Sequence, residues 1–278
     1  MSRIPFGISR LDAMIGGGAP AGSVVLLAGE SGAGAREFGY TAAAMNGLAS
    51  GDAELFDLFY GDLAGEAEHP DEVHYVSFTH EPEAVVDEMR YVMDDELVDV
   101  GTRAVTFADL SREYFQLTPV PTDWYVDRPA DITALGEDRE RRDVLDALGE
   151  YLTANAPGNL VVIDSVTDLI ASEGSRWGPA ELTFLTKGLS RAAYRWGCVV
   201  LLLVNVEPLH PRTLGQLKEA CNGTLLFEWE SGGSERARTL VVEEFRGVLS
   251  RLEDEDIVRF ETEILESGFD ISNVRKIR

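Results

Sequence analysis

The chain has 278 residues, 45% of them hydrophobic, which is enough apolar surface for a sizeable core and excludes a wholly disordered polymer. Its 49 acidic residues against 24 basic ones leave a formal charge of −25, which opposes non-specific attraction to nucleic acid and to anionic lipid. That acidity predicts a cytoplasmic protein with a surface adapted to high salt, in which arginine carries nearly all positive charge, since Lys187, Lys218 and Lys276 are the only lysines. No apolar run reaches the roughly 18 residues of a spanning helix, so no membrane insertion is expected. Cys198 and Cys221 have neither metal-ligand nor disulfide-framework spacing and read as reduced structural residues.

Residues 6–20 combine a short helical pattern with a glycine-rich turn. An apolar strand over 23–27 then runs into a loop formed by Gly29, Glu30, Ser31, Gly32, Ala33, Gly34, Ala35 and Arg36, and a helix is expected over 36–45. Strand, glycine loop and helix in this order are the setting of a phosphate-binding loop, G-x-x-x-x-G-K-[ST]. There backbone amides cradle phosphate, the lysine reaches the β- and γ-phosphates, and the hydroxyl holds Mg²⁺. Gly29 and Gly34 stand at the required spacing, but Ala35 occupies the lysine position and Arg36 the hydroxyl position. Two readings follow: a tight turn kept for folding, or a nucleotide cradle of backbone amides that has lost ordinary hydrolysis. Glu30 and Glu37 add like charge near a bound anion, and Arg36 restores part of the attraction without copying either lost side chain.

Residues 49–72 read as an acidic insertion containing one short helix near 55–59. A strand over 72–78, a helix over 82–93 with Pro82 in its first turn, and a strand over 103–107 come next. The stretch 109–135, rich in aromatics, proline and aspartate, takes no assignment; with Trp124 and Tyr125 it is a candidate partner surface, as is the acidic insertion. A helix over 138–152, a strand over 160–163, a helix over 179–194 and a very apolar strand over 198–206 complete a βα alternation. Strands over 224–229, 238–245 and 257–265 read as an antiparallel extension of the same sheet. The expected fold class is α/β, a largely parallel sheet flanked by helices with a C-terminal antiparallel extension, in one domain over 1–278.

Asp164 closes the strand over 160–163, the place from which such folds coordinate Mg²⁺ or its water; a turn-capping aspartate is the alternative. His69, His74, His80 and His210 form no metal cluster with their sequence neighbours. The basic residues from Lys187 to Arg195, and Arg236 with Arg238, read as cations pairing with an acidic surface. Trp177 and Trp196 read as packing or partner-contact residues, and no nucleic-acid module is recognisable.

The runs Phe6-Gly-Ile-Ser-Arg-Leu-Asp, Gly16-Gly-Gly-Ala-Pro-Ala-Gly, the Gly29 loop and Leu160-Val-Val-Ile-Asp-Ser resemble the KaiC-like branch of the RecA-type ATPases, archaeal and cyanobacterial, over most of the chain. The resemblance implies a RecA-like phosphate-loop fold with ATP or ADP and Mg²⁺ at Gly29–Arg36 and Asp164, a nucleotide at a subunit boundary, and rings or filaments. The family's acidic pair before a proline falls on His80 and Glu81, which implies the water-activating role for Glu81 beside Asp164. The departures at Ala35 and Arg36 point to a regulatory or scaffolding protein, with weak or absent nucleotide binding and lost hydrolysis, acting through a protein partner or its own copies. An atypical ATPase using Arg36, Glu81 and Asp164, and a DNA-recombination accessory protein, are the alternatives.

Overall fold

The computed structural model describes residues 2–116, 118–126, 143–171, 179–232, 235–248 and 257–276. In chain order the elements begin β1 (Arg3–Ile4), α1 (Ser9–Ile15), β2 (Ala19–Pro20), β3 (Ser23–Gly29), α2 (Ala35–Gly51) and α3 (Ala53–Phe59). Next come β4 (Val73–Ser77), α4 (Pro82–Arg90), α5 (Asp95–Gly101), β5 (Val105–Asp109), α6 (Ser111–Phe115), α7 (Val144–Asn155) and β6 (Leu160–Asp164). The chain continues through α8 (Val166–Ala171), α9 (Pro179–Trp196), β7 (Val199–Asn205) and α10 (Pro211–Ala220) to β8 (Gly223–Gly232), β9 (Glu235–Phe245), β10 (Ile257–Leu265) and β11 (Gly268–Lys276).

Nine of these strands form one sheet in the order β11-β10-β9-β8-β3-β7-β6-β4-β5. From β8 to β5 the neighbours are parallel; β8–β9, β9–β10 and β10–β11 are antiparallel, as the sequence pattern predicts. β3, β6 and β7 are apolar along almost their whole length because helices cover both faces. Successive side chains alternate between two cores. Val25, Leu27, Tyr75, Val162, Leu201 and Leu203 pack under α1, α2 and α3, whereas Val24, Leu26, Val161, Ile163, Val200 and Leu202 pack against α7, α9 and α10.

Helix α2 runs on to Gly51, six residues beyond the expected end at 45, because nothing in Ala42–Ser50 breaks it. Asp52 then stops it, accepting from the amides of Glu54 and Leu55 as the cap of α3. The rest of the 49–72 segment is pinned to β1: Arg3 donates its amide to the Glu66 carbonyl at 3.2 Å, and Glu68 donates to that of Arg3 at 2.8 Å. The strand expected over 103–107 begins at Val105, since residues 102–104 close α5 as a 3-10 turn. Trp177, the side chain of Arg236 and the start of the helix expected over 138–152 lie outside the described residues. No helix among the described residues is long and apolar enough to cross a membrane.

Candidate functional site

β3 ends at Gly29 in the middle of the sheet, and the chain turns through Glu30–Gly34 into α2. A Cβ on Gly29 would lie 2.6 Å from that of Ala35, and one on Gly34, at φ +115°, would lie 2.8 Å from the Phe269 ring. Both glycines are therefore required by packing, whatever the loop binds. The loop is also tied down by its neighbours. The Glu30 amide donates to the Phe227 carbonyl at 3.0 Å. The Glu30 carboxylate accepts from the Trp229 amide at 3.0 Å, the Trp229 indole donates to the Ser31 carbonyl at 3.0 Å, and Arg238 donates to the Gly32 carbonyl at 3.0 Å. The Arg238 guanidinium also lies 5.0 Å from the centre of the Trp229 ring. Ser31 donates to Glu207 at 2.6 Å and accepts from Asn205 at 3.1 Å. No side chain caps α2, and Phe38 makes its first bond, to the Gly34 carbonyl at 2.9 Å. The amides of Ala35, Arg36 and Glu37 thus have no acceptor within the helix, at the end whose dipole favours an anion.

This loop lines a cleft of about 420 Å³, closed on its other sides by Tyr40 of α2, by Glu88 and Tyr91 at the end of α4, and by Asp164, Ser165 and Asn205. Arg36 does not extend along the cleft toward a ligand. It turns across it, placing Nη2 3.1 Å from Oδ1 of Asp164, whose side chain is only 4% exposed. The buried Tyr75 hydroxyl donates to the other oxygen, Oδ2, at 2.7 Å. Burial opposes the charge on Arg36, but Asp164, with Tyr40 and Tyr75, outweighs it and raises the pKa. Burial, then Asp164, raises that of Tyr75, so the phenol keeps its proton and remains a donor. Tyr40, raised by burial and by its bond to Glu88, donates to Glu88, and His80 lies 3.8 Å from the same carboxylate.

The residues present do not fit a magnesium ion. Mg²⁺ demands a compact set of oxygen ligands and, in a phosphate loop, takes a loop hydroxyl and the strand-end aspartate. Here the hydroxyl position carries a cation, and the aspartate accepts from that cation and from a phenol.

The structure brings Gly29, Glu30, Ser31, Gly32, Gly34, Ala35, Arg36 and Asp164 to one cleft, with Ala33 buried behind it. Glu81 lies elsewhere: it is exposed at the N-terminus of α4 and does not line the cleft. The α4 acid in the cleft is Glu88, seven residues and about two helical turns further on. Among the remaining histidines, His69 packs edge-on to Phe56, His74 is buried and bonded to Tyr151 and Glu72, and His210 caps α10. Sequence reasoning missed Tyr40, Tyr75 and Glu88. Tyr40 had a signal, since it follows Arg36 by one helical turn; Tyr75, on an apolar strand, read as core.

No family model matches the sequence, and no curated protein is detectably similar to it. By structure the chain is similar to a KaiC-like protein from the hyperthermophilic archaeon Pyrococcus horikoshii OT3, with a TM-score of 0.63 and 16% sequence identity across 98% of this chain and 99% of that one. The chain therefore has a RecA-like α/β fold, a mixed central sheet flanked by helices, of the kind that this KaiC-like protein adopts.

Proposed function

We propose that this chain is a regulatory or scaffolding protein of RecA-like fold that has exchanged its magnesium site for an internal ion pair and no longer hydrolyses ATP. The observation that carries this reading is the 3.1 Å contact between Arg36 and Asp164, which joins the two positions that grip the metal in an active phosphate loop. Ala35 removes the lysine charge that would meet the β- and γ-phosphates, a contribution worth several kcal/mol in a water-poor site. A nucleotide that enters this cleft meets backbone amides and the α2 N-terminus, not a metal. Glu37 and Glu88 oppose its charge, which favours weak binding. Output then rests on contacts with protein, through exposed side chains such as Trp124.

Calorimetric titration with ADP and ATP, with and without Mg²⁺, tests this reading. The expected result is weak or absent binding that does not strengthen when Mg²⁺ is added. A strong Mg²⁺-dependent gain in affinity, lost in Asp164→Asn, would refute it. Such a result would also restore the reading of an atypical ATPase.

A further inference from the structure

Between α7 and α9, on the sheet face opposite α2, runs a groove of about 660 Å³ floored by Leu148, Leu152, Leu185 and Leu189. Phe184, 74% exposed, stands at its edge. One glycine from each helix lines it, Gly149 and Gly188, and a Cβ at either position would meet nothing within 4 Å. Neither has the positive φ that would demand glycine, and glycine inside a helix is less stable than alanine or leucine. The isolated fold therefore gains nothing from them; what they provide is room for another backbone to approach. Alongside the Phe184 edge, Lys187, Arg191 and Arg195 recur every four residues of α9 and are exposed. Lys187 reaches Glu219 only at 3.5 Å. Arg191 and Arg195 make no ion pair among the described residues, on a chain with 49 acidic residues against 24 basic ones.

We propose that this groove receives an amphipathic helix of a different protein, one that presents apolar side chains to the leucine floor and carboxylates to the cations of α9. Shape points to a helix. α7 leads into β6 and α9 into the adjacent parallel strand β7, so the two helices leave a trough between them. The leucines along each wall are three or four residues apart, the repeat that a third helix matches. Charge decides its flank. A helix bearing lysine is drawn to the molecule as a whole, whereas one bearing glutamate is repelled by the net −25 and held only where Lys187, Arg191 and Arg195 stand together. Asp146 and Glu181 line the end of the groove where α7 and α9 begin, so the partner's acids belong beside the later turns of α9. Burial against the leucines supplies affinity, and the cation row supplies the choice of partner. This inference rests on the scaffolding reading and gives it a partner class, yet the groove lies apart from the glycine-loop cleft, so the two are tested separately.

Two fluorescent peptides of about 18 residues test this, each with leucines along one helical face and either glutamate or lysine along its flank. Each is titrated with the full chain in about 0.3 M salt, which screens the long-range field and leaves contact ion pairs. The glutamate peptide should bind with a Kd on the order of 10 µM and the lysine peptide at least about tenfold more weakly, the reverse of the order that net charge alone dictates. Arg191→Glu with Arg195→Glu should invert that preference. Gly188→Leu should abolish binding of the glutamate peptide by filling the groove, while its urea midpoint stays at or above that of the wild type because leucine is the better helix former. The loss is then not one of folding. Equal or stronger binding of the lysine peptide, or glutamate-peptide binding that survives Gly188→Leu, would overturn the proposal. So would sedimentation of the wild-type chain as a dimer that Gly188→Leu disperses, since a second copy would then be the occupant. A wild-type chain that binds neither peptide and also shows no Mg²⁺-dependent affinity for nucleotide would refute this inference and leave the reading of the cleft intact.

Discussion

At the scale of single residues, Asp12 and Asp164, the two buried carboxylates among the described residues, are held in contrasting ways. Asp164 meets a guanidinium and a phenol on its two oxygens. Asp12 has no cation: its Oδ1 accepts from the Phe6 amide at 2.9 Å, and its Oδ2 accepts from the Ile8 amide at 3.2 Å and the Tyr60 hydroxyl at 3.1 Å. Burial outweighs these donors and pushes its pKa up to about 7 from 3.8. The folded state therefore holds a proton that the unfolded state releases, so this group's contribution to stability is full below about pH 4 and falls as pH rises to about 7. Over that window the loss is on the order of 4 kcal/mol, at about 1.4 kcal/mol per unit. The stability of Asp12→Asn relative to wild type should accordingly improve between pH 4 and 7, as read by urea unfolding at each pH; a difference independent of pH would count against the assignment. For the Asp164 pair, Arg36→Met should cost about 1–2 kcal/mol, discounted because the Arg36 side chain is 43% exposed. Tyr75→Phe should cost about 1 kcal/mol. The double variant should deviate from additivity by at least about 0.5 kcal/mol, since both donors serve one carboxylate; strictly additive unfolding energies would show that they do not act together. Gly29, Gly34, Ala35, Arg36 and Asp164 were legible in the sequence as a site because loop spacing and a strand end are local patterns. The direction in which Arg36 turns was not, because it depends on a carboxylate 128 residues away.

At the scale of elements, the antiparallel hairpin β10–β11 acts as a brace for the glycine loop. Its Phe269 ring lies against Gly34 and edge-on to Phe38 and Phe227 at 5.4 and 5.7 Å. The Phe269 amide donates to Thr41 of α2 at 2.8 Å, and the Ile271 carbonyl accepts from Arg10 of α1 at 2.7 Å. Phe269→Ala should cost about 3–5 kcal/mol and loosen the loop, read as faster amide exchange at residues 32–35; a loss below about 1 kcal/mol would show that the hairpin is peripheral. Gly34→Asp should likewise destabilise the fold through φ and the Phe269 contact, so it cannot serve as a selective probe of ligand binding. The parallel strands were legible as apolar runs and the longer helices as 3.6-residue patterns. β11 was not, because Gly-Phe-Asp-Ile-Ser-Asn offers only two strongly apolar positions, and its pairing with β10 supplies the rest. Helices α5 and α10 were missed for a similar reason. Each is short, and each begins at a side-chain cap, Asp94 or His210.

At the scale of the whole molecule, the sheet order places β3 between β7 and β8 with β6 on the other side of β7, so the loop after β3 and the end of β6 meet at the carboxyl ends of the parallel strands. That convergence follows from a RecA-like fold and was legible through motif order. The surface is a different matter. The basic residues from Lys187 to Arg195 were legible in the sequence as a cluster on one helix, but the apolar groove beside them was not, because it exists only through the packing of α7 on α9. The central claim, that Arg36 has taken the place of the catalytic metal, is tested most directly by phosphate release from ATP. The purified full chain should be assayed in high salt with Mg²⁺, beside Asp164→Asn and across a series of protein concentrations. The account predicts release no faster than the Asp164→Asn background at every concentration. Sustained release by the wild-type chain that vanishes in Asp164→Asn would contradict it.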